Sequence, residues 1–148
     1  MPGFELIGKE EYKEIQDLFE NSGILFRHGF DAMRNDIYKV RDFEKKFSKK
    51  LGVADSLAVS SGTAALKVAL EAIGVGKGDE VITQAFTFVA TVESIVEAGA
   101  KPVIANIDKT LNINPQDLEA KITNKTKAII VVHMLGIPSD MSSVMKIA

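Results

Sequence analysis

The stretch Ser60-Ser61-Gly62-Thr63 contains residue types that could bind a phosphate group. It follows the short apolar run Leu57–Val59 and precedes apolar residues at helical spacing, so the pattern predicts a strand, a tight turn and the helix 63–73. The first amides of a helix lack internal hydrogen-bond partners and carry partial positive charge, which suits a phosphate, and the hydroxyls of the stretch could add hydrogen bonds. Ser61 or Gly62 could instead only cap the helix, and the stretch alone leaves both interpretations open.

Two commoner phosphate-binding motifs do not account for the chain. No Gly-x-Gly-x-x-Gly lies between a predicted strand and a predicted helix, so a nicotinamide-dinucleotide site is not supported. The segment Gly74–Asp79 is rich in glycine, but it follows a helix and lacks the Gly-Lys-Ser/Thr ending of a P-loop. It is therefore predicted to be the end of a helix and a turn.

Two further groups of residues follow apolar runs that are predicted to be strands. The segment Thr83–Thr91 carries Phe86 and Phe88, either of which could stack on a flat ring or pack into the core. His133 follows the run 128–132 and could contact a ligand or form a hydrogen bond within a loop. Ligands of open α/β sheets bind at the carboxyl ends of the strands, so both groups belong to the edge where a site is expected.

Short apolar runs alternate with helical stretches from residue 57 onwards, which indicates an α/β fold with a mostly parallel sheet and right-handed crossovers. The predicted strands are 57–59, 81–83, 102–105 and 128–132. The helices between them are 63–73, 89–98 and one that begins at Pro115 after the capping residue Asn114. Two earlier amphipathic helices are predicted at 10–20 and 37–51, and the second ends at Gly52.

One face of the helix 37–51 is basic. It carries four lysines, which could form a binding patch: Lys45, Lys46, Lys49 and Lys50. Acidic residues, Asp42 and Glu44, lie nearby in the sequence, and a solvated helix face is the commoner role of such a run. We therefore predict a solvated face.

The composition argues against several classes of protein. The 148 residues are 46% hydrophobic and 26% charged, as in folded domains, and the net charge of −2 does not favour nucleic-acid binding. Cysteine is absent and only two histidines occur, so disulfides are excluded and a metal site is not expected. No apolar run is long enough to span a membrane, and residues 1–5 lack the pattern of a signal peptide. We therefore expect a cytoplasmic protein that does not bind membranes.

The last residues have the pattern of a helix that has just begun. Asp140 could cap it, and Val144 and Ile147 begin an apolar stripe, but no stop signal follows. We therefore expect that the fold continues beyond Ala148, the alternative being a short C-terminal helix.

Together these segments resemble the pyridoxal-phosphate sugar aminotransferases of the DegT/DnrJ/EryC1/StrS family. The resemblance extends over nearly the whole chain from residue 40 and rests on seven segments: 43–47, 51–53, 60–66, 75–82, 87–91, 98–103 and 132–136 with 140–141. The front of the chain, Met1–Leu6 and Leu25–Ala32, is similar to the branch that aminates an eight-carbon 3-deoxy-octulosonate sugar for lipopolysaccharide, the 8-amino-3,8-dideoxy-octulosonate aminotransferases.

The resemblance implies a fold and a set of roles. The fold is the N-terminal part of the large domain of the fold-type I (aspartate aminotransferase-like) transferases, a mostly parallel sheet between helices. Residues 1–35 form an N-terminal helix and substrate-side loop, and residues 36–148 an incomplete cofactor-binding domain. Ser61, Gly62 and Thr63 hold the phosphate of pyridoxal 5′-phosphate, and Phe88 stacks on its ring. We assign substrate binding to three residues: Arg27, His28 and His133.

The resemblance also implies what the chain lacks. The Schiff-base lysine, and the aspartate that pairs with the pyridine nitrogen, correspond to positions beyond Ala148, so no catalytic residue is assigned and the chain alone is expected to be inactive. The complete protein is expected to be a homodimer that transfers an amino group from glutamate to a keto- or aldehydo-sugar in surface-polysaccharide or lipopolysaccharide biosynthesis. The alternative is a non-catalytic fragment that binds a phosphorylated ligand or a partner.

Overall fold

The computed structural model describes residues 4–148 of the chain. The start of the segment Met1–Leu6, which is similar to the octulosonate branch, therefore lies outside the described residues. The chain divides into two compact units, Met1–Ala58 and Val59–Ala148. The predicted division by role at residue 35 stays a prediction.

The unit Val59–Ala148 is built on a three-stranded parallel sheet. Its strands are β1 (Glu80–Gln84), β2 (Lys101–Ala105) and β3 (Thr126–Ile130), in the spatial order β2-β1-β3. Ile82 in the centre pairs with Val103 on one side and Ile129 on the other. The predicted parallel α/β fold is confirmed, and so are the last three of the four predicted strands.

Helices cover both faces of this sheet. Four α-helices occur in the unit: α3 (Gly62–Ala72), α4 (Val89–Glu97), α5 (Pro115–Ala120) and α6 (Met141–Ile147). Val81 packs with residues of α3 and α4, whereas its neighbour Ile82 packs with residues of α5 and α6. Successive side chains of a strand point to opposite faces, so the two helix pairs lie on opposite sides of the sheet.

The predicted strand at Leu57–Val59 is wrong. These residues are extended, but none of them pairs with another strand among the described residues. The amide of Ala58 donates to the Glu44 carboxylate at 2.8 Å rather than to a strand carbonyl. Leu57 and Val59 are 56% and 37% exposed. An apolar run becomes a strand only when a neighbouring strand accepts and donates its backbone hydrogen bonds, and the described chain provides none here.

The unit Met1–Ala58 contains the two predicted amphipathic helices, α1 (Lys9–Asn21) and α2 (Lys39–Leu51). Gly52 adopts φ 69° after α2, as a left-handed C-terminal cap requires, and this confirms the predicted end. The lysine face of α2 is exposed as predicted. Glu44 is not part of that solvated face, because it is only 8% exposed. Among residues 4–148, no helix combines the length and the apolar character needed to cross a bilayer.

Replacing Ile95 by alanine tests the packing of α4 on the sheet. Ile95 is fully buried in the cluster that contains Leu70 and Val81. We expect Ile95→Ala to lower the free energy of unfolding by about 2–5 kcal/mol, because it removes buried methyl groups and leaves a cavity. The neighbouring Val96 is 56% exposed, so Val96→Ala is the matched control and should cost about 0.5 kcal/mol or less. Urea denaturation compares the variants, and equal losses would contradict this packing.

Candidate functional site

Ser61 caps helix α3 while leaving amides at its start without partners. The Ser61 hydroxyl oxygen accepts a hydrogen bond from the Ala64 amide at 3.1 Å, and the Ala65 amide donates to the Ser61 carbonyl at 3.0 Å. The amides of Gly62 and Thr63 donate to no other group among the described residues. Ser61 therefore caps the helix, and two donors remain at the position where a phosphate is predicted.

Neither the backbone conformation nor the packing around Gly62 requires a glycine at this position. Its φ lies outside the left-handed region, and a Cβ atom built at this position would meet nothing within 4 Å. Alanine is the better helix former, so glycine is conformationally unfavourable here. A glycine leaves room for a ligand to approach the backbone closely. Ser60 and Ser61 are exposed, and Thr63 is half-buried.

Phe88 lies on the surface at the start of α4. It is 73% exposed, and Phe86 is 42% exposed, so the interpretation in which both rings pack into the core is wrong. Phe88 is the residue that precedes α4, and its carbonyl accepts a hydrogen bond from the Thr91 amide at 3.0 Å. The ring thus has a face available to a flat ligand, as the stacking interpretation requires.

The starts of α3 and α4 lie at the same edge of the sheet. Helix α3 ends shortly before β1, α4 begins shortly after it, and the two helices pack against each other. Helices that flank a strand in this way run antiparallel to it, so both helix N-termini lie at the carboxyl end of β1. Ser61, Gly62, Thr63 and Phe88 are therefore elements of one edge.

A buried glutamine, which the sequence analysis did not single out, lies at this edge. Gln84 is the last residue of β1 and is fully buried. Its amide nitrogen donates to the carbonyls of Phe86 at 3.0 Å and Leu111 at 3.2 Å, and its amide oxygen accepts from the Val132 amide at 3.2 Å. The one signal in the sequence is a long polar side chain that ends a strand buried on both faces.

His133 begins a loop that is held by hydrogen bonds. Its Nδ1 accepts from the Ser139 amide at 3.1 Å, so the predicted hydrogen bond within a loop is confirmed. The buried side chain of Asn112 accepts from the Met134 amide at 3.0 Å and donates to the Ile137 carbonyl at 3.2 Å. A role of His133 in substrate binding stays a prediction; the residue is exposed.

Arg27 and His28 belong to the unit Met1–Ala58. The guanidinium of Arg27 donates to both oxygens of Glu44, at 2.9 and 2.8 Å, and its side chain remains 41% exposed. This bidentate bond, and after it the Ala58 amide, hold the pKa of Glu44 below its ordinary value. His28 is exposed. Their assignment to substrate binding stays a prediction.

The loop that carries these two residues is organised by Arg34, which is 2% exposed. Its guanidinium donates to the carbonyls of Phe26, Gly29 and His28, with 2.6 Å to Gly29 and 3.4 Å to His28. A buried arginine with several carbonyl partners satisfies its donors, so the shape of this loop is determined by the protein itself.

Comparison with known proteins agrees with the parallel fold. The chain belongs to the DegT/DnrJ/EryC1/StrS aminotransferase family, whose model matches residues 29–148. The predicted family is thereby confirmed.

Individual relatives are similar over almost the whole chain. The spore coat polysaccharide biosynthesis protein SpsC of Bacillus subtilis is 45% identical over 97% of this chain and 34% of its own length. The PLP form of Spr1654 from Streptococcus pneumoniae, assigned as a sugar aminotransferase, has a TM-score of 0.84 at 32% identity, covering 95% of this chain and 34% of that one. NtdA of Bacillus subtilis with bound cofactor PMP has a TM-score of 0.81 at 34% identity, covering 97% and 32%. The chain thus spans about a third of the length of these relatives.

The Arg27–Glu44 pair predicts a pH dependence of stability. The pKa of Glu44 is lowered in the folded state, so its contribution is complete above the ordinary glutamate pKa of about 4.3 and is lost as the pH falls through the lower folded-state value. Glu44→Gln removes the charge, so the melting temperature of this variant should lie below that of the wild type at pH 7 and approach it as the pH falls through the lowered folded-state pKa of Glu44. Asp42→Asn on the exposed surface of the same helix is the control. A gap that stays constant with pH would contradict the prediction.

Proposed function

We propose that this chain forms the phosphate- and ring-binding part of a pyridoxal-phosphate-dependent aminotransferase that acts on sugars. The observation that carries the proposal is the start of α3, where the Gly62 and Thr63 amides have no partner among the described residues and the space that a Gly62 side chain would enter is open. Membership of the aminotransferase family, and the PLP and PMP forms of its solved relatives, support this cofactor.

The residues at the start of α3 fit a phosphate group. Two amides point their donors out of the first turn, where the dipole of an 11-residue helix favours negative charge. The oxygen of the Ser61 hydroxyl is occupied as a cap acceptor, which leaves its hydrogen free to donate to a phosphate oxygen. Thr63 offers a second hydroxyl. These donors would hold the phosphate and thereby orient the attached ring.

Phe88 is suited to cover that ring. An exposed aromatic face at the same edge of the sheet as the phosphate site can bind a planar heterocycle by offset stacking and exclude water from one side of it. When bound, pyridoxal phosphate supplies the carbonyl that accepts an amino group and a ring that withdraws electrons from the reacting carbon. The role of this chain is then to bind and orient the group.

The finer assignments of the proposal rest on the resemblance. We assign a keto- or aldehydo-sugar as the substrate, glutamate as the amino donor, and surface-polysaccharide or lipopolysaccharide biosynthesis as the pathway. The similarity to a spore coat polysaccharide biosynthesis protein supports the assignment to polysaccharide biosynthesis. Arg27, His28 and His133 would contact the substrate. The working form would be a cytoplasmic homodimer.

We further propose that the chain by itself binds without catalysing. The resemblance implies that the family's Schiff-base lysine, and the carboxylate that pairs with the pyridine nitrogen, match none of the residues of this chain. In this proposal, the group that forms the covalent link and moves the proton would be supplied by residues other than these 148.

Replacing Phe88 tests the ring-binding part of the proposal. The experiment uses the natural polypeptide that contains these 148 residues, at its full length. We expect the wild type to bind pyridoxal phosphate. Phe88→Leu should weaken this binding about three- to tenfold, because the stacking on the ring is lost. Phe86→Leu is the matched control and should bind normally. Absorbance titration measures both. Absence of binding to the wild type would refute the proposal. Binding without amino transfer from glutamate to a keto-sugar would favour the non-catalytic alternative.

Replacing Ser61 tests the phosphate part. Ser61→Ala should lower the free energy of unfolding by about 1 kcal/mol through loss of the cap. It should also weaken pyridoxal phosphate binding several-fold, while binding of pyridoxal, which lacks the phosphate, should stay unchanged. Equal effects on both compounds would show that Ser61 acts only through the stability of α3.

A further inference from the structure

Gln84 joins three separate loops at the edge of the sheet where the candidate site lies. We propose that it is a positioning residue, which holds the loops after β1, β2 and β3 in the arrangement that the cofactor site needs. This inference rests on the proposed function and deepens it, because it names the residue on which the geometry of the site depends.

The three loops are connected through one side chain. The Gln84 amide nitrogen reaches the Phe86 carbonyl in the loop after β1 and the Leu111 carbonyl in the loop after β2. Its amide oxygen reaches the Val132 amide, which follows β3. Each contact is 3.0–3.2 Å long, and the side chain is fully buried.

These contacts explain why a polar residue ends the central strand. Transfer of an amide group from water to the protein interior is unfavourable unless its donors and acceptor are paired, and here both donor hydrogens and the acceptor are used. The ladder itself ends beside Gln84, with the Ala85 amide donating to the Ala105 carbonyl at 2.8 Å. An apolar side chain would leave the Phe86 carbonyl, the Leu111 carbonyl and the Val132 amide without this partner.

Two of the three contacts lie next to predicted site residues. The Phe86 carbonyl belongs to the residue two positions before Phe88 in the sequence, and the Val132 amide belongs to the residue directly before His133. Gln84 therefore determines where the stacking ring and the imidazole lie relative to β1. It has no need to contact the cofactor itself.

Two substitutions at this position separate the contacts. In Gln84→Met all three hydrogen bonds are lost, while the volume of the side chain stays similar. In Gln84→Glu the carboxylate still accepts from the Val132 amide, but it cannot donate to the two carbonyls and repels them. We expect both variants to weaken pyridoxal phosphate binding by about tenfold or more, because small displacements of positioning groups have large effects. Hydrogen exchange of the Val132 amide should accelerate in Gln84→Met and stay slow in Gln84→Glu.

Thr83→Val is the matched control. Thr83 is also fully buried, lies next to Gln84 and donates one hydrogen bond to the Ile130 carbonyl at 3.1 Å. Loss of this hydrogen bond should lower the melting temperature without changing the affinity for pyridoxal phosphate. The affinities are measured on the full-length polypeptide, at a temperature well below the melting temperatures of the wild type and all variants. This control shows the effect of losing a buried hydrogen bond in the same strand.

The outcomes distinguish this inference from the proposed function. If the wild type binds pyridoxal phosphate and Phe88→Leu weakens that binding, but Gln84→Met binds normally, the inference is wrong and the proposed function stands. If Thr83→Val weakens binding as much as Gln84→Met, the effect is general destabilisation and the inference is wrong. If the wild type itself does not bind pyridoxal phosphate, the proposed function fails and the inference fails with it.

Discussion

Strand β1 carries the strictest constraint in the unit Val59–Ala148. It is hydrogen-bonded to β2 on one side and β3 on the other, and all five of its residues are buried. A strand in this position must present apolar side chains to both faces, as Val81 and Ile82 do, and must satisfy every polar group at its ends. Its register with both neighbours brings the three carboxyl ends to one edge. The loops that carry Phe88 and His133 begin there.

The unit Met1–Ala58 is stabilised in a different way. Its most buried side chains include the charged groups of Glu44 and Arg34, each satisfied by several hydrogen bonds, whereas the aromatic residues Phe43 and Phe47 of α2 are 55% and 41% exposed. A buried ion that loses its partner keeps its desolvation cost, so conformations that break these hydrogen bonds are strongly disfavoured. The loop with Arg27 and His28 depends on these charged groups.

Local signals in the sequence were sufficient for most elements. Asn114 accepts from the amides of Gln116 and Asp117 at the start of α5, and Asp140 accepts from the Ser143 amide at the start of α6, as the capping patterns predict. These contacts join residues two or three positions apart, so the local sequence contains both partners. The strand predicted at Leu57–Val59 failed for the opposite reason, because a strand needs a distant partner that its own residues do not reveal.

The sequence by itself determined the helices with their caps, the three strands of the sheet, and a serine–glycine–threonine turn whose pattern resembles a known family. Only the tertiary structure decided which polar residues would be buried and with what partner. Gln84 contacts Val132 and Glu44 contacts Arg27, pairs that are 48 and 17 residues apart in the chain. The physical reason is that a cap or an apolar stripe depends on residues within one or two turns. The partner of a buried amide or carboxylate depends on which chain segments the sheet and loops bring together.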